Sequence, residues 1–200
     1  MRCFHDKYYA RNNAVLAIAG DFEESEAVAL AKKYFGDAKP IALPKYEPPA
    51  MPEQTSPRNA VVEDTHAKLP AVLYGWTVPA SDHPDHYALA LAGRLLSDGE
   101  SSRLYRALVR ERSLTVDTSA ELAGHRGPDM FEISARLASG AKVADVQKLI
   151  DSQISDVARL GPSDEEMKKL RARVVSSFLF GLESNFARAQ ELAEFELYRG

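Results

Sequence analysis

Apolar positions along the 200 residues fall into continuous runs, alternating runs and helical stripes, and each pattern predicts an element. The run AVLAIA at 14–19 is short and continuous, which predicts a buried strand. It follows the turn-forming pair Asn12 and Asn13 and ends at Gly20 and Asp21. Asp21 is placed to cap a helix, with Glu23 and Glu24 where the helix dipole favours anions. Ala27, Leu30, Ala31, Tyr34 and Phe35 keep helical spacing as far as Gly36, so 14–35 predicts a strand-helix unit. The periodicity then stops. Pro40, Pro44, Pro48, Pro49, Pro52 and Pro57 crowd residues 40–57 and predict a stiff, extended linker between two bodies.

Beyond the linker the pattern restarts. NAVVEDT and LPAVLYGWTVP read as two strands. DHPDHYALALAGRLLSD reads as a helix with Asp82 as N-cap, Pro84 in the first turn, and a buried stripe of Ala88, Leu91, Ala92 and Leu95. SSRLYRALVRERSLTV, at 101–116, predicts a second helix running into a strand. Arg103, Arg106 and Arg110 share one face of it, with Leu104, Tyr105 and Leu108 on the other. LTVDTSAELA and DMFEISARLA predict paired strands around the turn GHRGPD, with Phe131, Ile133, Ala135 and Leu137 alternating toward a core. A helix at 142–160 carries Val143, Val146, Ile150, Ile154 and Val157 inward and stops at Gly161 and Pro162. Ser163 and Glu166 form a capping box for the next helix, which holds Met167, Leu170, Val174 and Phe178. SNFARAQELAEFELY closes the chain as a last helix. The order β-β-α-α-β-β-α-α-α after the linker predicts an α+β fold, a mainly antiparallel sheet with helices packed on one face, preceded by the strand-helix unit.

Composition changes this picture little. A net charge of −4 argues weakly against a general nucleic-acid binder. The single cysteine, Cys3, excludes an intrachain disulfide, so packing must supply the stability. No apolar run approaches the ~20 residues that span a bilayer. MRCFHDKYYARNN lacks the apolar core of a signal peptide and reads as the end of a helix, so a piece of a longer chain is expected.

Candidate chemistry is sparse. No glycine-rich phosphate loop has the required spacing, and no serine stands in a strand-turn-helix elbow. His83 and His86 in HPDH lie one helical turn apart, but zinc needs a third ligand that no nearby residue supplies. They are expected to be exposed or capping; His5, His66 and His125 are isolated and expected to be structural or exposed. The face of Arg103, Arg106 and Arg110 is most simply solvated and is the candidate surface for meeting a partner. From the residues alone there is no catalytic constellation.

A resemblance adds what these patterns do not. YYARNNAVLAIAGDF, AKKYFGD, the proline-rich crossing, DHYALALAGRLLSDGESSRLYRALV and FLFGLES resemble, in this order, the pitrilysin and insulin-degrading-enzyme family of zinc metallopeptidases. The bacterial, mitochondrial-processing-peptidase-like branch is the most similar. The resemblance covers nearly the whole chain, and order and spacing make weak strings specific. Arg11 departs from it, standing where the family commonly has proline in a Tyr-x-Pro-Asn-Asn turn.

The resemblance implies two similar α+β halves facing each other across a chamber. The first half carries His-x-x-Glu-His on a helix. Two His and a distal Glu bind zinc, and the motif Glu activates water. This chain contains no such motif. Residues 1–39 correspond to the end of the zinc-bearing half, downstream of all its ligands, 40–57 to the linker, and 58–200 to most of the second half. The expectation is therefore no catalytic residue and no metal ligand here, with zinc held by the parent protein.

In the family's substrate-orienting halves the segment matching 103–116 reads approximately Arg-Leu-x-x-x-Leu-Arg-Glu-x-x-Gly-Leu-x-Tyr. Its later Arg and its Tyr hydrogen-bond the substrate carbonyl beside the zinc. Arg103, Leu104, Leu108 and Leu114 set an ungapped register in which Val109 takes the Arg position and Val116 the Tyr position. Neither can donate a hydrogen bond from its side chain. The resemblance thus implies a half that is inactive even in orienting substrate. Its parent would be of a division-of-labour type, with the Arg and Tyr coming from a homologous subunit, and peptides would be the substrates of the full enzyme. A non-proteolytic scaffold of the same fold, as in the core proteins of a respiratory complex, is the alternative. For a bacterial parent the resemblance implies the periplasm or cell envelope, though no residue here specifies it. The strand-helix unit at 14–35 is further expected to dock on the second-half sheet, in cis or from another molecule, because that sheet would otherwise present an open edge or face.

Overall fold

The structure, a computed structural model, describes residues 2–37, 39–45, 54–125 and 127–199. The helices are α1 (Arg2–Tyr8), α2 (Glu24–Phe35), α3 (Pro84–Ser97), α4 (Val143–Leu160), α5 (Asp164–Gly181) and α6 (Asn185–Arg199). A π-helical turn occupies Tyr105–Arg110. The strands are β1 (Ala71–Val78), β2 (Thr115–Leu122) and β3 (Asp129–Leu137). Contacts divide the chain into two compact units, 1–48 with 174–200, and 49–173.

The unit at 49–173 is built on an antiparallel sheet of order β1-β3-β2. The central strand shows the predicted alternation, with Phe131, Ile133, Ala135 and Leu137 all buried. Its register sets Ile133 between Tyr74 and Ala120, Ala135 between Val72 and Thr118, and Phe131 between Trp76 and Leu122. Side chains two apart on a strand share a face, so these residues form one apolar surface. Leu96, Leu104, Leu108, Val146 and Ile150 pack into the same cluster, which places the helices on that face. The other face carries Leu73, Ser134, Ser119 and the ion pair of Arg136 with Asp117. The architecture is the expected α+β layer.

α3 covers the outer edge of β2. The backbone N–H of Ala120 donates to Ser97 Oγ at 2.8 Å, and that hydroxyl lies 3.1 Å from the Ala120 carbonyl. Gly93 makes the approach possible, since a Cβ there would stand 2.8 Å from the same carbonyl oxygen. Because the helix leans on a strand edge, its buried residues are Gly93, Leu95 and Leu96; of the predicted stripe, Leu95 is buried, Leu91 and Ala92 are half-buried and Ala88 is exposed. Its cap is His83 and not Asp82. Pro84 occupies the first helical position, and the Asp85 N–H donates to His83 Nδ1 at 3.2 Å.

α4 follows its prediction closely. Val146 and Ile150 are fully buried, while Val143 at its start is exposed. Gly161 ends it with φ +66°, a left-handed conformation that suits glycine. The capping box holds in both directions: the Ser163 N–H donates to Glu166 Oε2 at 2.8 Å, and the Glu166 N–H to Ser163 Oγ at 3.3 Å. At the hairpin end the buried Asp129 carboxylate accepts backbone N–H groups of Gly124, His125 and Met130. These bonds hold its pKa below the ordinary carboxylate value against the opposing effect of burial. Arg126 of that turn lies outside the described residues.

Two predicted strands are absent. NAVVEDT forms no strand, and Val61 and Val62 are 96% and 86% exposed. β1 pairs only with β3 among the described residues, and this run adds no strand to its other edge. Residues 14–19 likewise form no strand and pair with none of the described strands.

In the other unit the chain turns at 11–13. Asn12 clamps Ile41 reciprocally, donating Nδ2–H to its carbonyl at 2.9 Å and accepting its N–H at 3.2 Å. Asn13 donates to the Tyr8 carbonyl at 2.8 Å, and Arg11, in the family's proline position, donates to the Gly36 carbonyl. α2 begins after Glu23, two residues beyond the expected cap at Asp21, and Glu23 makes no capping bond with its side chain. Residues 39–45 and 54–70 carry no helix or strand; Met1, Pro48, Pro49 and Pro52 lie outside the described residues.

Candidate functional site

The segment from the end of α3 to β2 contains Arg103, Arg106, Arg110, Val109 and Val116, the candidate partner-facing and substrate-orienting positions. It opens on a tight reversal. Gly99, at φ +81°, leaves the space in which the Arg173 guanidinium lies; a Cβ would be 2.5 Å from its nitrogen. Arg173 there pairs with the Asp98 carboxylate at 2.9 Å and also donates to the Asp98 carbonyl. Arg94 reaches the same carboxylate at 3.4 Å.

The predicted helix follows, but its backbone widens. The Glu111 N–H bonds the Arg106 carbonyl at 2.9 Å, five residues back, and the Leu114 N–H reaches the Leu108 carbonyl at 2.8 Å. This wider turn accompanies complete burial of both Leu104 and Leu108. π-turns of this kind concentrate at functional sites. Ser113, just beyond, holds φ +51°, at the position where the resembling pattern has glycine.

The three arginines do not act as one face. Arg103 turns inward, its side chain only 13% exposed. It grips Glu166 with two hydrogen bonds, Nε to Oε1 at 2.9 Å and Nη2 to Oε2 at 2.8 Å, and donates to the Gly161 carbonyl at 2.9 Å. The hydrogen bonds from Arg103 hold the Glu166 carboxyl down at about 2. Arg106 is exposed and lies 3.5 Å from Glu111, and Arg110 is exposed. Capping chemistry singled out Glu166, but its pairing with Arg103, 63 residues away, left no local signal. The same is true of Asp98 with Arg173.

Val109 is half-buried on the π-helical turn, and Val116 is exposed. Thr115 pairs with Leu137 and Asp117 with Arg136, so Val116 is the extra residue of a β-bulge and opposes no residue of β3. Bulges re-aim side chains, yet this one presents an aliphatic group.

The described residues do not fit a zinc ion: no three His, Cys, Asp or Glu side chains gather among them. His83 is occupied in capping α3, and His86 is half-buried with Nδ1 unbonded. No helix is long and apolar enough to cross a membrane among the described residues.

Comparison with known proteins agrees with this layout. The family model for the Peptidase M16 inactive domain matches residues 1–174. Zinc protease PqqE of Helicobacter pylori is 29% identical over 184 residues, 91% of this chain and 41% of its own length. Uncharacterized zinc protease Rv2782c of Mycobacterium tuberculosis is 26% identical over 215 residues, 100% of this chain and 46% of its own. The crystal structure of a protease from Helicobacter pylori superposes with a TM-score of 0.89 at 27% identity, covering 98% of this chain and 48% of that one. The chain spans less than half the length of these relatives. With the matched domain running through most of the sequence, the sheet and its helices included, the chain belongs to the Peptidase M16 inactive-domain family of zinc proteases.

Proposed function

We propose that the chain is the non-catalytic half of a zinc-dependent peptidase, forming wall of the substrate chamber and meeting the zinc-bearing half or a homologous subunit as its partner. Zinc and the water-activating carboxylate belong, in this reading, to the parent protein. The relatives named as zinc proteases support it, each more than twice the length matched here.

One observation carries the finer reading. Val109 and Val116 stand where the family's orienting halves place Arg and Tyr, in a segment anchored by the burial of Leu104 and Leu108. An ordered segment without donors contributes nothing to the charge that develops on a substrate carbonyl. The parent accordingly needs a homologous subunit to supply that pair. Peptide hydrolysis by the full-length parent, measured alone and with such a subunit, tests this. Activity only in the mixture is the expected result. Full activity from the isolated parent removes the partner requirement, and a parent whose own His-x-x-Glu-His is degraded is a scaffold instead.

A further inference from the structure

Within the unit at 49–173, a cleft of about 620 Å³ opens between the π-helical turn, the end of α3 and the start of α5. We propose that it is a binding site for a multivalent oxyanion, independent of the peptidase reading. Its wall holds five cations, Arg94, Arg106, Arg110, Lys169 and Arg173, against three carboxylates, Asp98, Glu165 and Glu166. Glu166 is already held in two hydrogen bonds by Arg103, which is not part of the wall. Five cations therefore face two remaining carboxylates. Asp98 is divided between Arg94 and Arg173, and Glu165 pairs with Lys169 at 3.1 Å. Arg106 lies 3.5 Å from Glu111, which is outside the wall, and Arg106 and Arg110 are both exposed, in a chain whose net charge is −4.

A second observation points to a ligand. Ser102 lies in the same wall, is only 6% exposed, and its Oγ has no hydrogen-bond partner among the described residues. A buried hydroxyl left unbonded is destabilising, and native structures rarely keep one without a reason. Ser163, at the start of α5, also lines the cleft, so the positive end of that helix adds to the field. Guanidinium groups recognise carboxylates and phosphates through the same forked geometry. The ligand class is thus an oxyanion with two or more charged groups, whether the charge sits on carboxylates or on phosphates.

Titration of the 200-residue protein with citrate and, separately, with inorganic pyrophosphate tests the site, followed by calorimetry and by backbone amide shifts at low salt. The expected result is saturable binding of one equivalent that moves the Ser102 amide. The double variant Arg106→Gln, Arg110→Gln removes two exposed cations and should weaken binding by about tenfold or more, as charge-assisted hydrogen bonds are lost. A control, Lys142→Gln with Lys148→Gln, removes the same charge elsewhere on the surface and should leave affinity unchanged. Saturation by citrate alone identifies a carboxylate ligand, by pyrophosphate alone a phosphate ligand, and by both a general oxyanion site. Absence of saturable binding by either probe, or equal weakening in both double variants, overturns the proposal.

Discussion

Arg103 and Glu166 meet through two charge-assisted hydrogen bonds, at 2.9 and 2.8 Å, although 63 residues separate them. The pair ties the π-helical turn to the capping box of α5, because Glu166 accepts the Ser163 N–H through the same carboxylate. Removing one partner strands the other, partly buried charge. Arg103→Ala is expected to cost about 2–3 kcal/mol of stability, read from urea denaturation. A loss near zero would show the pair to be incidental.

The pair also sets an acid dependence. Glu166 ionises at about 2 in the fold and near 4.5 when unfolded. A depressed carboxyl pKa stabilises fully above the unfolded value and loses that effect as pH falls through the folded one. Stability should therefore decline between pH 4.5 and 2, by up to about 3 kcal/mol from this residue. Asp117 and Asp129, also held low, act in the same direction. Glu166→Gln should flatten the decline, and an unchanged acid profile in that variant would contradict the assignment.

Gly93 is the seat of α3 on β2. In Gly93→Val the new Cβ must displace the Ala120 carbonyl, 2.8 Å away, which belongs to backbone and not to a yielding side chain. Overpacking of this kind costs about 1–3 kcal/mol, measurable as a lowered thermal midpoint.

Ser97 protects the edge of the sheet. Ser97→Ala leaves the Ala120 N–H and carbonyl without their side-chain partner, a loss of about 1–2 kcal/mol. It also frees one outward-facing pair on an edge strand. Light scattering at the unfolding midpoint should show earlier aggregation than in the parent chain.

Restoring the missing donors tests the division of labour. In the full-length parent, Val109→Arg with Val116→Tyr should raise peptide hydrolysis by the isolated protein, by roughly tenfold or more, since single donors to a developing oxyanion contribute 10²–10³ in favourable sites. Val116 is exposed on its bulge and tolerates the larger ring; Val109 is only half-buried. Unchanged activity in a properly folded double variant would separate these positions from substrate orientation.

Much of the helical layer was legible because its determinants are local. The alternation of Phe131, Ile133, Ala135 and Leu137, the stripe of Val146 and Ile150, and the exchange between Ser163 and Glu166 each depend on residues within a few positions of one another. Side-chain periodicity and capping are properties of short stretches of chain, so they can be read without knowing what lies opposite. The family resemblance could likewise be read from the order of short strings.

Tertiary structure decided the rest. Residues 14–19 and NAVVEDT have the composition of strands, yet a strand exists only where another backbone accepts its hydrogen bonds, and none among the described residues does so. Arg103, Arg106 and Arg110 share a face by spacing, but only the arrival of Glu166 turns Arg103 inward and leaves Arg106 and Arg110 exposed on the cleft. The widened turn at Tyr105–Arg110 and the close contact at Gly93 arise in the same way. Amino-acid order determined which groups could bond and which could be buried. The three-dimensional fold decided which of them met, because pairing across tens of residues depends on where the backbone brings each group.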